Sequence, residues 1–134
     1  MASLAEGEAT AVVTAEHILK SLMLRYDANS GWLSVPELRD GPGFARRAID
    51  LFVMATWPSK RMVRMAFEIK VSVQDFKKEL SEPDKRDPFV RFANEFYFAT
   101  PKGLLDKHRD VIPVECGLVE IYDDYSTKVA KRRK

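Results

Sequence analysis

Two neighbouring stretches decide the fold of this chain: "AIDLFVMATW", residues 48–57, and "MVRMAFEIKVSVQDF", residues 62–76. In the second, Phe67, Ile69 and Val71 alternate with Glu68, Lys70 and Ser72, which is the two-residue period of a strand. The first is almost continuously apolar, as a central strand covered on both faces would be, yet it carries a carboxylate, Asp50. "PSKR" between them reads as a turn, and strands joined so closely pair antiparallel. With the turn centred on Ser59, residue i faces residue 118 − i, and Asp50 lies directly opposite Glu68. Cross-strand neighbours have Cβ atoms roughly 5 Å apart. Lys70, two residues beyond Glu68, points to the same face.

Two carboxylates opposed in apolar surroundings repel each other. Either one takes a proton or a cation lies between them. A divalent metal held by two carboxylates and water is the economical solution. Lys70 is then placed to orient a water or to stabilise charge developing on a phosphoryl group. The reading depends on register, because a slip of one residue would turn Glu68 to the other side of the sheet. Without the hairpin, an E-x-K triplet is an ordinary solvated strand face.

Outward from the hairpin, Val12, Ala15, Ile18, Leu19, Leu22 and Met23 recur at helical spacing and predict a helix from about Ala11 to Tyr26, starting ahead of Thr14. "WLSVPEL", 32–38, reads as a short strand whose Pro36 marks an edge or bulge. "RDGPGFARR", 39–47, is a glycine-containing loop. Ser72 and Asp75 resemble a capping box that opens a helix through Val73, Phe76 and Leu80. "EPDKRDP" ends that helix, "PFVRFAN" adds a helical turn or two, and "EFYFAT", 95–100, is a strand whose aromatics belong to the core. "PKGLLDKH" reads as a short helix or turn, and "CGLVEIY", 116–122, as a last strand. The order is α-β-β-β-α-β with one strand added, and the strand–helix–strand passage after residue 62 predicts a parallel crossover in an α/β fold.

One domain is expected over residues 11–125, between a flexible N-terminus (1–10) and a basic flexible tail (126–134). At 134 residues with 46% hydrophobic and 31% charged residues, the chain is long and apolar enough for one real core. Its net charge of +2 excludes a polycation, so any nucleic-acid surface must be a local patch. A single cysteine, Cys116, allows no internal disulfide and suits a reducing compartment. No apolar run approaches the length of a membrane span, and the acidic first residues lack the apolar region of a signal peptide. His17, His108 and Cys116 fit no zinc spacing. Ser34 and Ser72 have no histidine at a suggestive place, and "DGPG" is neither a P-loop nor a dinucleotide fingerprint.

"RRAIDLFVM" followed by "AFEIKVSVQDF" resembles the PD-(D/E)XK nuclease superfamily, whose motif is an Asp on one strand and E-x-K on the next. Ile49 stands where the motif's proline would precede the Asp. "EPDKR", "NEFYFATPKGLL" and "IPVECGLVEI" extend the resemblance, over roughly residues 35–122, to small bacterial and phage nuclease-like proteins of the MmcB-type DNA repair group. The resemblance implies a restriction-endonuclease-like αβββαβ core with a central mixed sheet flanked by helices. It implies Mg²⁺ or Mn²⁺ held by Asp50, Glu68 and the carbonyl of Ile69, with Lys70 catalytic. It also implies a third carboxylate, for which Glu37 and Glu16 are the candidates, Glu37 preferred because its loop leads straight to Asp50.

The expected activity is metal-dependent hydrolysis of DNA phosphodiesters, in repair, recombination or phage DNA processing, in the cytoplasm of a bacterial or phage-infected cell. Arg39, Arg46 and Arg47, beside glycines that permit close approach, and Lys77 and Lys78 are the candidate phosphate contacts. The tail "KVAKRRK" would add sequence-independent affinity. A homodimer is left open, and no membrane partner is expected. Two other readings remain: a DNA-binding accessory protein of the same fold without turnover, and a protein-interaction domain in which Glu68 and Lys70 form a plain surface pair.

Overall fold

The computed structural model describes residues 13–39 and 48–132. Helix α1, Ala15–Arg25, starts where Thr14 caps it: the Thr14 hydroxyl accepts the N–H of His17 at 3.1 Å, and Thr14 itself is extended. The expected earlier start is therefore corrected, because the cap satisfies one of the unpaired donors of a first turn that begins after Thr14. Asp27 caps a single 3₁₀ turn, and Gly31, at φ +86°, ends it in the left-handed conformation that glycine adopts without strain. A Cβ at Gly31 would come within 2.5 Å of the Trp57 indole, so this bend also needs glycine for space.

Strands β1 (Trp32–Arg39), β2 (Ala48–Ala55) and β3 (Arg64–Ile69) follow, then helices α2 (Val73–Leu80) and α3 (Asp87–Phe92), and strands β4 (Glu95–Pro101), β5 (Cys116–Ile121) and β6 (Thr127–Lys131). The described residues form one six-stranded mixed sheet with the strands in chain order. β2 is antiparallel to both β1 and β3, β3, β4 and β5 run parallel, and β6 returns antiparallel to β5. The fold is α/β. Leu51 pairs with Phe67, Phe52 with Ala66, Val53 with Met65 and Met54 with Arg64, which is the register expected for a turn at Ser59. The α2–α3 segment makes the crossover from β3 to the parallel β4, and Ser72 caps α2 by accepting the N–H of Asp75 at 3.1 Å.

Each face of the sheet buries its own cluster. Ile18, Leu22 and Tyr26 of α1 pack on Leu51, Val53, Phe67, Tyr97 and Val119. On the other face Phe76 of α2 and Phe89 of α3 pack with Phe52, Ala66, Phe96, Phe98 and Leu118. Phe96, Tyr97 and Phe98 are buried, as expected of a core strand. His17 is structural: its Nε2 lies 2.9 Å from the Tyr122 carbonyl and its ring stacks on Tyr125. Cys116 is buried, and burial pushes its thiol up to about 11.

One further expectation is corrected. The segment 126–134 is not simply a flexible tail, because Thr127–Lys131 forms β6. Val129 and Ala130 pack on opposite cores, and Lys131 Nζ donates to the Cys116 carbonyl at 2.7 Å, so this lysine is tied down within the fold. Residues 102–107 form turns, one of the two forms expected of this stretch, with Gly103 at φ +85° and its N–H donated to Glu120 Oε2 at 2.9 Å. The N-terminal segment 1–10 lies outside the described residues. Among the described residues no helix is long and apolar enough to cross a membrane.

Candidate active site

The backbone pairing of β2 with β3 stops at Leu51 and Phe67. One residue further on, Asp50 stands opposite Glu68 in the same register. Here a side chain replaces the ladder: Asp50 Oδ2 accepts the backbone N–H of Ile69 at 2.7 Å. Lys70, next along, donates its backbone N–H to Ala99 of β4 at 3.0 Å. β3 therefore leaves β2 but stays with β4, and a notch opens at the point where the charged residues sit.

The neighbouring strand is irregular at the same level. Glu37 lies between the pairs Pro36–Leu51 and Leu38–Ile49, so it faces Asp50 across the β1–β2 ladder. Its φ of +54° is in the left-handed region, where a non-glycine residue is strained. Glu37 and Asp50, with Ala15, Glu16 and Leu19 of α1 and with Ile69, line a cleft of about 230 Å³. Both candidates for a third carboxylate thus border the cleft that Asp50 lines.

Glu68 and Lys70 share a face, with Lys70 Nζ 3.6 Å from Glu68 Oε2 and both side chains about 85% buried. Burial, and then the charge of Asp50, push the Glu68 carboxyl up to about 8, against the opposing pull of Lys70. Glu68 Oε1 is buried with no hydrogen-bond partner in the protein, as is Glu79 Oε1. Such an oxygen costs stability unless something else satisfies it. Lys70 lies closer to a second carboxylate, from α2: its Nζ is 3.1 Å from Oε1 of Glu79, which is only 2% exposed. Arg86 closes the chain of charges, with Nη1 3.8 Å from Glu79 Oε2 and donating to the Glu79 backbone carbonyl at 3.0 Å.

The helical spacing already contained the clue to Glu79. Phe76 and Leu80 line the buried face of α2, and Glu79 is three residues from the first, on the same side. Within "KKELSE" the alternating charges disguised it as part of a solvated face. Lys77 and Lys78 are exposed on α2, and Arg39 is exposed at the end of β1. Arg46 and Arg47 lie outside the described residues.

Opposed carboxylates, one with an unsatisfied buried oxygen, fit a divalent cation. Among the described residues no group of three or more His, Cys, Asp or Glu side chains is gathered closely enough to form a metal cage. A donor set of two carboxylates completed by backbone carbonyl and water suits Mg²⁺, which keeps part of its hydration shell.

No family model matches the chain, and no curated protein matches it. Among solved structures, the fold is similar to that of SPO1766, a protein of unknown function from Silicibacter pomeroyi, with a TM-score of 0.63 and 16% sequence identity over 94% of this chain and 74% of that one. At that identity the likeness concerns the fold alone.

Proposed function

We propose that the chain is a metal-dependent deoxyribonuclease with a restriction-endonuclease-like core, hydrolysing DNA phosphodiester bonds. The observation that carries this reading is the Asp50–Glu68–Lys70 arrangement at the notch between β2 and β3. The succession of a helix, three antiparallel strands and a helical crossover to a parallel strand supports it.

A bound Mg²⁺ or Mn²⁺, held by Asp50, Glu68 and the carbonyl of Ile69, would supply Lewis acidity to the scissile phosphate and an attacking water. Asp50 is anchored for this role by the Ile69 N–H, which fixes its carboxylate at the notch. Glu68 must give up its proton before it serves as a ligand. Lys70 presents its ammonium beside Glu68, where it stabilises negative charge developing on the phosphoryl oxygens. Glu37 borders the same cleft and serves as the additional carboxylate, with Glu16 as its alternative. Arg39, Arg46, Arg47, Lys77 and Lys78 supply phosphate contacts that hold the backbone without reading sequence.

Purified protein incubated with Mg²⁺ or Mn²⁺ and a panel of linear, circular, single-stranded and branched DNA tests the reading. Cleavage that disappears with a chelator is expected. Metal-independent binding without cleavage of any substrate would instead establish the non-catalytic accessory protein.

A further inference from the structure

Lys70 has two carboxylates to choose from, and it leans toward the one outside the proposed metal set: 3.1 Å to Glu79 against 3.6 Å to Glu68. Glu79 comes from α2, is almost fully buried and is backed by Arg86. The cost of burying such a carboxylate is offset only by cations held close to it. Its backbone is also pinned, since Arg86 donates to the Glu79 carbonyl. Glu79 is therefore a fixed anchor on one side of a long, flexible ammonium side chain. On the other side, Glu68 keeps a buried oxygen with no hydrogen-bond partner, whereas Glu79 Oε1, likewise buried and without a hydrogen bond, has the ammonium 3.1 Å away.

We infer that Glu79 is a positioning residue that draws the Lys70 ammonium away from Glu68, leaving the Glu68 carboxylate open to a divalent cation. This rests on the proposed metal site and adds a part to it. Removing Glu79 takes away the nearer partner of Lys70. The ammonium then closes on Glu68, the remaining carboxylate within reach, and competes with the metal for it. The same loss displaces the ammonium from the position in which it faces a phosphate.

The test is Mn²⁺ affinity, read by titration calorimetry on the intact chain, for the wild type, Glu79→Leu, Lys70→Met and the double variant. Glu79→Leu leaves the Arg86 bond to the backbone carbonyl available, and circular dichroism checks that each variant is folded. Glu79→Leu is expected to weaken Mn²⁺ binding ~10- to 100-fold, the range typical when the partner that orients a metal-site residue is lost. Adding Lys70→Met to Glu79→Leu should restore affinity to within a few-fold of the Lys70→Met single variant, because the competing ammonium is gone. Glu79→Gln, which keeps an acceptor oxygen at the same reach, should fall between wild type and Glu79→Leu.

Equal weakening by Glu79→Leu with and without Lys70 would show that Glu79 acts on the fold and not through Lys70, and would overturn the inference. Unchanged affinity in Glu79→Leu would overturn it too, while leaving the metal site in place. A wild type that binds no Mn²⁺ would remove both the metal site and the inference built on it.

Discussion

Asp50 accepts the backbone N–H of Ile69 at 2.7 Å, so a carboxylate from β2 closes the ladder at the point where β3 departs. That bond gives Asp50 a structural role beside the chemical one proposed for it, and different substitutions separate them. Asp50→Ala loses both, leaving the Ile69 N–H to find water, and should cost on the order of 1–3 kcal/mol as well as all cleavage. Asp50→Asn keeps an acceptor oxygen for Ile69 and should retain most of the stability, while losing cleavage and most of the Mn²⁺-induced rise in Tm. Glu68→Ala should likewise abolish turnover in a folded protein. Melting curves with and without Mn²⁺, beside the cleavage assay, check all three; wild-type cleavage by any of them would displace the assigned site.

The Glu68 carboxyl, raised from its ordinary value near 4.5 to about 8, ties stability to pH. Between those values the folded protein holds a proton that the unfolded chain has released. The stabilising contribution is therefore complete below about 4.5 and is lost as pH rises through about 8. The proposed metal binding has the opposite trend, because Glu68 must be ionised to act as a ligand. The metal-free protein should melt lower at pH 8.5 than at pH 6, and the Mn²⁺-induced gain should grow over the same interval. Glu68→Gln should flatten the first dependence and lose the second. Parallel melting profiles for wild type and Glu68→Gln across this range would show that Glu68 does not titrate there.

Most of the hairpin was legible because pairing between two strands joined by a short turn has few freedoms. Once the turn was centred on Ser59, the facing of Leu51 with Phe67 and of Met54 with Arg64 followed, and with it the opposition of Asp50 and Glu68. Phe76 and Leu80 likewise marked the buried face of α2. The misreadings came where local pattern and tertiary context diverge. Thr127–Lys131 has the composition of a solvated tail, and it becomes a strand only because β5 offers an edge and two cores receive Val129 and Ala130. Glu79 stands among several charges in "KKELSE", and its burial depends on Lys70 and Arg86 arriving from elsewhere in the chain. The left-handed backbone of Glu37 left no trace in residue type, because glycine is the usual signature of that conformation and is absent here.

Arg46 and Arg47 precede β2 by two and one residues in the sequence, and they are candidate phosphate contacts. Phosphate contacts release counterions and make binding fall with salt in proportion to their number. Replacing both by Ala, in a protein kept metal-free to prevent cleavage, should weaken binding to all sequences alike. It should also reduce the slope of log K against log salt by roughly one to two units. Fluorescence anisotropy over a salt series measures this directly, and an unchanged slope would take both arginines out of the DNA interface.

Glu37 faces Asp50 with a backbone φ of +54°, and the two features can be tested apart. A left-handed residue other than glycine carries strain of about 1–3 kcal/mol, which the surrounding structure must hold. Glu37→Gly relieves that strain and removes the carboxylate, and it should raise thermal stability while lowering cleavage. Glu37→Gln keeps the strain and the side-chain length, and it should melt like the wild type while losing cleavage to the same extent as Glu37→Gly. Together the two variants assign the effect on cleavage to the carboxylate and the effect on stability to the backbone. If Glu37→Gln cleaves at the wild-type rate, the carboxylate takes no part in the chemistry. Repeating both measurements with Glu16→Gln then determines whether the carboxylate of α1, which borders the same cleft, takes that part instead.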